Sequence, residues 1–146
     1  MTWPIQSFQR DDFEISTDPD RLDAHAIHEF LSQRAYWAIG RPLETVLRSL
    51  QNSLCFGLYH NGRQIGLARV ITDYATYAYL CDVYVLEDYR GLGLGVWLID
   101  SLLQHPGLQN LRKFSLTTRD AQELYRRFGF TEVTEPHRYM NLRPRE

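Results

Sequence analysis

The stretch VYVLEDYRGLGLGVWLI, residues 83–99, decides how this chain is read. It opens as an alternating apolar strand, passes Arg90 and three glycines, Gly91, Gly93 and Gly95, and then enters an apolar run. Glycine is a poor resident of strand and helix interiors. Three of them at a strand-to-helix junction mark a turn whose backbone must stay accessible. In such a turn several N–H groups point outward, and the dipole of the following helix favours an anion. Arg90 adds a charge-assisted donor beside them. Two common phosphate motifs fail here. No Gly-Lys-Ser/Thr follows, and Val96 stands where the third glycine of a dinucleotide fingerprint belongs. A glycine turn that only permits tight helix–strand packing is the competing reading.

Working outward, DFEIS at 12–16 reads as a strand. Asp18-Pro19 reads as a cap followed by proline at the first helical position, with Leu22, Ala26, Ile27, Phe30 and Leu31 at helical spacing. A second helix starts near Pro42 and carries Leu43, Val46, Leu47 and Leu50 on one face. Between the two helices lies AYWAIGR, residues 35–41, with two large aromatics. Asn61-Gly62, set between alternating apolar runs, predicts a hairpin within 54–71. YAYLCDVYVL at 77–86 is another strand, and LGVWLIDSLL after the glycines is apolar nearly all round and predicts a buried helix. FSLTT at 114–118 reads as a strand and AQELYRRF at 121–128 as a helix, with Asp120 as its cap and Gly129 as its stop. The tail holds strand candidates FTEV and RYMNL. The strand–helix–strand unit at 77–118 predicts a parallel crossover, and the hairpin predicts antiparallel neighbours, so the sheet is mixed.

A length of 146 residues suggests one domain, taken as 1–146, with enough chain for a substantial core. A net charge of −2 gives no nucleic-acid signature. No apolar run approaches a membrane span and the N-terminus has no signal core. Cys55 and Cys81 fit no zinc spacing. A soluble, cytoplasmic protein with no metal and no membrane or nucleic-acid partner is expected. His25 and His28 lie one turn apart, but no third ligand is suggested, and a solvated helix face accounts for them.

Arg90-x-x-Gly93-x-Gly95 resembles the R/Q-x-x-G-x-G/A signature of the GNAT superfamily of acyl-CoA N-acyltransferases. Downstream, AQELYRRFGF is similar to that family's A-x-x-L-Y-x-x-x-G-F element, and the two stand in the family's order. The resemblance extends over 12–142 in element order. It departs at Glu87, where the family often has proline, and at TTRD, where an asparagine often stands. It implies an α/β fold with a mixed, mostly antiparallel sheet of six to seven strands flanked by about four helices. It also implies acetyl-CoA as cosubstrate. Its pyrophosphate would lie on Arg90, Gly91, Leu92, Gly93, Leu94 and Gly95, and its pantetheine arm on the backbone of Val83 and Val85.

The implied chemistry is direct attack of a primary amine on the thioester in a ternary complex. The amine, with a pKa near ~10.4, must shed a proton, and a phenol near ~10 can protonate a thiolate whose acid lies near ~8.5. Tyr125 takes the position of the family's general acid; its competing role is core packing with Ala121, Leu124 and Phe128. Asp82 is the candidate base, against a structural role beside a tyrosine or the backbone, with Leu80 and Tyr84 as its partners in strand alternation. Cys81 has no histidine placed to activate it. Arg126 and Arg127 read as solvated charge.

In relatives the connection equivalent to 35–41 borders the acceptor entrance, which makes Tyr36 and Trp37 substrate-binding candidates and leaves core cover as their alternative. Tyr74, Tyr77, Tyr79 and Tyr84 add aromatic surface divided between cleft and core, and Asp73 and Asp82 are the nearby acids. Aromatic faces with few acids favour a small aromatic or mono-amine acceptor over a polyamine; a small-molecule acceptor is expected ahead of a protein, with a metabolite, an amino acid, an antibiotic and a protein amine all left open. A homodimer is compatible with all of this. A non-catalytic acyl-CoA-binding regulatory module is the alternative function, and a domain that has kept only the fold is a third.

Overall fold

A computed structural model describes residues 3–143 of the protein. Its elements are β1 (Ser7–Arg10), β2 (Phe13–Ser16), α1 (Ala24–Arg34), α2 (Leu43–Gln51), β3 (Leu54–His60), β4 (Arg63–Thr72), β5 (Tyr77–Val85), α3 (Leu94–Leu103), β6 (Lys113–Leu116) and α4 (Gln122–Arg126). The six strands form one sheet in chain order. All neighbours are antiparallel except β5 and β6, which run parallel. The expected mixed, mostly antiparallel α/β architecture is therefore present.

Local chemistry explains most boundaries. Asn61 and Gly62 take φ of 49° and 83°, the two left-handed residues of a tight hairpin turn, and β3 and β4 pair from His60↔Arg63 onward. α1 starts later than its sequence signal. Asp18-Pro19 opens only a single 3₁₀ turn, Pro19–Arg21, and the helix cap is Asp23, whose carboxylate accepts from the Ala26 N–H at 3.0 Å. α4 has Ala121 at its N-cap rather than Asp120 and no side-chain cap; the Thr118 hydroxyl accepts from the Ala121 N–H at 3.0 Å in the loop before it. α4 ends at Arg126, short of the expected Phe128, and Gly129, at φ 95°, closes the turn that follows it.

Helices cover both faces of the sheet. On one, Ile27, Phe30 and Leu31 of α1 and Val46 and Leu50 of α2 pack on Cys55, Leu67 and Tyr84. Phe30 and Tyr84 stack with ring centroids 4.0 Å apart. On the other face, Leu94, Trp97, Leu98, Ile99 and Leu102 of α3 pack on Phe56, Leu58, Ile65, Ala68, Val70 and Leu80. Full burial of each such aliphatic side chain stabilises by about 1.5–3 kcal/mol, so this apolar helix is fixed by what it covers.

β5 is irregular at one place. Leu67 faces Tyr84 but Arg69 faces Cys81, so Ala68 alone opposes Asp82 and Val83. Asp82 is the added residue of this bulge and has φ 50°. The alternation expected from the sequence breaks there. Ala78 and Leu80 pack on the α3 side, and Tyr84 packs on the α1–α2 side. Leu80 and Tyr84 therefore do not share a face.

Two further expectations need correction. SFQR, which precedes the first strand expected from the sequence, is itself a strand paired with β2. FTEV and RYMNL form no strand; residues 131–143 are exposed throughout.

Candidate active site

The glycine turn leaves its backbone bare. After β5 a 3₁₀ turn, Glu87–Tyr89, leads to Arg90. Gly91 and Gly93 then take φ of 82° and 77°, and Gly93 sits at the α3 N-cap. Only glycine adopts this conformation without strain. Nothing lies within 4 Å of where a Cβ would stand at Gly91, Gly93 or Gly95. Among the described residues, none of the N–H groups of 91–95 donates to another backbone group. Leu94 is buried and anchors the turn, while Leu92 is exposed. The Arg90 Nε donates to the Val85 carbonyl at 3.1 Å, which holds the guanidinium beside the turn. This cradle of free N–H groups at a helix N-terminus, open to solvent and flanked by one cation, fits a pyrophosphate.

The turn lies at the end of a strand that has lost its neighbour. β5 and β6 pair from Tyr77↔Lys113 to Leu80↔Leu116, and no further. Past that point the strands part over a cleft of about 400 Å³. The edge of β5 beyond Leu80, including Val83 and Val85, is not paired with β6. On the wall formed by α4 stands Tyr125, 8% exposed, with its ring edge-on to Phe130 at 5.9 Å. Burial, reinforced by the neighbouring Tyr36, pushes its phenol up to about 12. The hydroxyl therefore stays protonated across the whole working pH range.

On the opposite wall, the Asp82 carboxylate accepts from three donors. They are Trp37 Nε1 at 2.7 Å, Arg41 Nη1 at 2.8 Å and Arg69 Nε at 2.8 Å. Burial raises its pKa, but the two guanidinium groups and the indole N–H outweigh that and hold it below the ordinary value. Trp37 itself is 41% exposed, and Tyr36 meets it edge-on at 5.1 Å. The Arg119 guanidinium lies over the Tyr36 ring at 3.7 Å, and the Arg119 N–H donates to the Tyr36 hydroxyl at 3.3 Å. The α1–α2 connection and the loop before α4 thus touch across the cleft.

Trp37, Asp82, Val83 and Tyr125 all line this one cleft, as does Tyr36. Of the four tyrosines expected to share cleft and core, only Tyr79 lines it, with its hydroxyl donating to Thr117 Oγ1 at 3.1 Å. Tyr84 is buried on Phe30, and Tyr74 packs against Trp3 and His105. Asp73 is spent within its own turn, where it accepts from the N–H groups of Ala75, Thr76 and Tyr77 and from the Thr76 hydroxyl. These bonds hold its carboxyl far below the usual range. Cys81 lines the cleft, but burial pushes its thiol up to about 11, and it stays a thiol at neutral pH. Arg126 engages Glu123 and Glu132 on the surface. Arg69 and Arg119 were not singled out from sequence. Arg69 sits one bulge away from Asp82 on the next strand, a pairing that only the register reveals.

A mixed sheet whose one parallel pair opens beside a bare glycine turn is the architecture of an acyltransferase. The sequence profile of the Acetyltransferase (GNAT) family matches residues 16–130, and the chain belongs to that family. It is 36% identical over 140 residues to FG08082 of Gibberella zeae, an acetyltransferase by provisional assignment, covering 82% of this chain and 79% of that one. A crystal structure from Xanthomonas campestris pv. campestris, provisionally assigned to the same family, superposes with a TM-score of 0.88. It is 48% identical and the match covers 90% of this chain and 93% of that chain. A Clostridium acetobutylicum structure solved with acetyl-CoA shares the fold at a TM-score of 0.66 and 16% identity, over 90% of this chain and 94% of that one. No helix among the described residues is long and apolar enough to cross a membrane.

Proposed function

We propose that residues 1–146 act as one N-acetyltransferase unit, which moves an acetyl group from acetyl-CoA to a primary amine of a small molecule by direct attack. The observation that carries this reading is the placement of three features along one strand: the Tyr125 phenol lines the cleft where β5 and β6 part, the freed edge of β5 borders that cleft, and the bare glycine turn follows the same strand.

Acetyl-CoA is the activated acyl donor. The N–H groups of residues 91–95 and Arg90 bind its pyrophosphate, and the backbone of Val83 and Val85 receives the pantetheine arm. Tyr36 and Trp37 form the acceptor wall. As the amine nitrogen forms its bond to the carbonyl carbon, the carbon–sulfur bond breaks and Tyr125 gives its proton to the departing sulfur. The Tyr125 phenol, pushed up to about 12 by burial, is still protonated when the thiolate appears, while burial also makes it a weaker acid than a free phenol.

Asp82 is better suited to anchoring than to accepting that amine's proton. Its two oxygens are taken by three donors and its pKa is lowered. Asp120, the other carboxylate lining the cleft among the described residues, is exposed at its mouth. The amine's proton therefore leaves to water at that mouth. With the Asp82 charge neutralised by arginines, the cleft offers an approaching polycation little anionic surface, which favours a mono-amine with an aromatic or apolar body.

The test is a panel of primary amines scored by release of free coenzyme A. Release with at least one amine, dependent on Tyr125, is expected. Coenzyme-dependent thermal stabilisation with no release from any amine would instead identify a non-catalytic acyl-CoA-binding module.

A further inference from the structure

Arg119 is a fixed cation without a bonded acid. Arg21, Arg34, Arg126 and Arg138 each pair with a glutamate. Among the described residues, Arg119 meets only an Asp120 oxygen, 3.9 Å from its Nη2 and beyond hydrogen-bond reach. The two side chains are 63% and 69% exposed, so this contact does little to hold the guanidinium. Tyr36 holds it instead. The guanidinium lies 3.7 Å from the ring centroid, and the Arg119 backbone N–H donates to the hydroxyl of the same ring at 3.3 Å. Contact with an aromatic face engages the flat side of a guanidinium. Its N–H donors lie in the plane, and they remain available to a planar, bidentate partner.

This cation stands inside the cleft. Arg119, Tyr36, Trp37 and Tyr125 line it together. The wall behind Trp37 adds charge of the same sign. Arg41 and Arg69 both donate to one oxygen of a single carboxylate, Asp82 Oδ2, at 2.8 Å each. Two guanidinium groups against one carboxylate leave one positive charge in surplus. A cleft between low-dielectric walls focuses such a field on whatever enters. The glycine turn already supplies its own N–H groups and Arg90 for the coenzyme's phosphates, whereas Arg119 is set on the acceptor wall.

We propose that the acceptor is an amine that also bears a carboxylate, an amino-acid-like zwitterion, and that Arg119, set on the Tyr36 ring, binds that carboxylate through its in-plane N–H groups. This rests on the reading of the cleft as an acetyl-transfer site and names its substrate class. The surplus of one charge matches a monoanion, and a planar carboxylate matches the planar fork. The same surplus disfavours the ammonium form at the other end of the acceptor, and so assists loss of the proton that the amine must shed before attack.

The experiment compares amines in pairs that differ by the carboxylate: phenylalanine with phenethylamine, tyrosine with tyramine, and 4-aminobutyrate with butylamine. Release of coenzyme A is measured for each, with rates expressed per neutral amine. In at least one pair kcat/KM should favour the carboxylate member by about 10–100-fold, the range of a hydrogen bond to a charged group. Arg119→Gln, at an exposed position, should fold as the wild type does by circular dichroism. It should bring that ratio towards one by raising the KM of the carboxylate substrate, with the coenzyme KM held. Arg119→Lys keeps the charge without the fork and should restore little of the ratio. Equal kcat/KM within every pair overturns the proposal, as does a preference that survives Arg119→Gln or returns in full with Arg119→Lys. A raised coenzyme KM with the acceptor KM held would assign Arg119 to the coenzyme's phosphates and overturns it too. Release with the uncharged amines alone sinks this inference and leaves acetyl transfer standing, whereas no release from either member of any pair sinks both.

Discussion

Asp82→Asn separates an anchoring carboxylate from a catalytic base. In the wild type this side chain is 2% exposed and faces Arg69 at 11% and Arg41 at 21% exposure, each at 2.8 Å. The amide keeps an oxygen for one donor but removes the charge, leaving two largely buried guanidinium groups uncompensated. Breaking a buried ion pair in this way costs about 3–5 kcal/mol, and the retained oxygen favours the lower end. At about 2–4 °C per kcal/mol for a chain of this size, a loss near ~3 kcal/mol lowers Tm by roughly 6–12 °C. The effect depends on pH with a definite sign. The folded-state pKa is lowered, so the ion cluster's contribution is fully present above the unfolded value of ~3.9 and is lost as pH falls through the folded value. The Tm difference between wild type and variant should be constant above about pH 5 and shrink in acid below it. Because Trp37 and Arg41 both belong to the α1–α2 connection, the amine KM should rise while the coenzyme KM holds. Thermal denaturation and steady-state kinetics across pH decide the matter. An unchanged Tm, together with a large fall in kcat and loss of an acid limb, would refute the anchor and restore Asp82 as the base.

Tyr125→Phe should lower kcat by about 10²–10⁴ with the coenzyme KM unchanged; wild-type kcat would leave the phenol a packing group. Gly95→Val should fold normally, since Gly95 lacks the left-handed φ of Gly91 and Gly93 and no atom lies within 4 Å of its Cβ position. Its thermal shift with coenzyme A should disappear, and a retained shift would move the pyrophosphate elsewhere. For an amine of pKa near ~10, kcat/KM should rise about tenfold per pH unit from ~7 to ~9, with no fall from Tyr125 in that window, because its phenol titrates at about 12. Trp37→Ala should raise the amine KM with little change in the coenzyme KM and lower Tm modestly, because the ring is 41% exposed but its Nε1–H is lost from the buried Asp82 carboxylate; equal loss toward both substrates would make it core cover.

Local and repeating signals carried the readable part of the fold. The Asn61-Gly62 hairpin, the buried α3 and the glycine turn each rest on chemistry confined to a few neighbouring residues, and each is present. β1 was hidden because an edge strand needs no apolar face, and SFQR has one apolar residue. The start of α1 was misplaced because Asp18-Pro19 and Asp23 both carry cap chemistry and only packing chooses between them. FTEV and RYMNL have the alternation of strands, yet a strand also needs an edge to pair with, and in the single chain they do not take one. In the cleft, Trp37 and Tyr125 were readable through the family's element order. The ties among Arg41, Arg69 and Asp82 were not, because they join positions up to 41 residues apart through the register of a bulged strand.

That bulge links the opening of the cleft to the ion cluster. β5 must place Ala78 and Leu80 under α3 and Tyr84 against Phe30 on the opposite face, which unbroken alternation forbids, since all three would point the same way. One added residue resolves the conflict, and Asp82 is that residue. Aspartate is among the few side chains that enter the left-handed region at modest cost. The bulge bends and twists the strand locally, and β6 stops pairing with it two residues earlier, at Leu80↔Leu116. The same bend presents the Asp82 carboxylate to Arg41, Arg69 and Trp37, whose bonds hold the left-handed backbone in place. The residue that frees the edge of β5 therefore also ties down the acceptor wall, so its substitution by an alternating strand residue would disturb both sides of the cleft together.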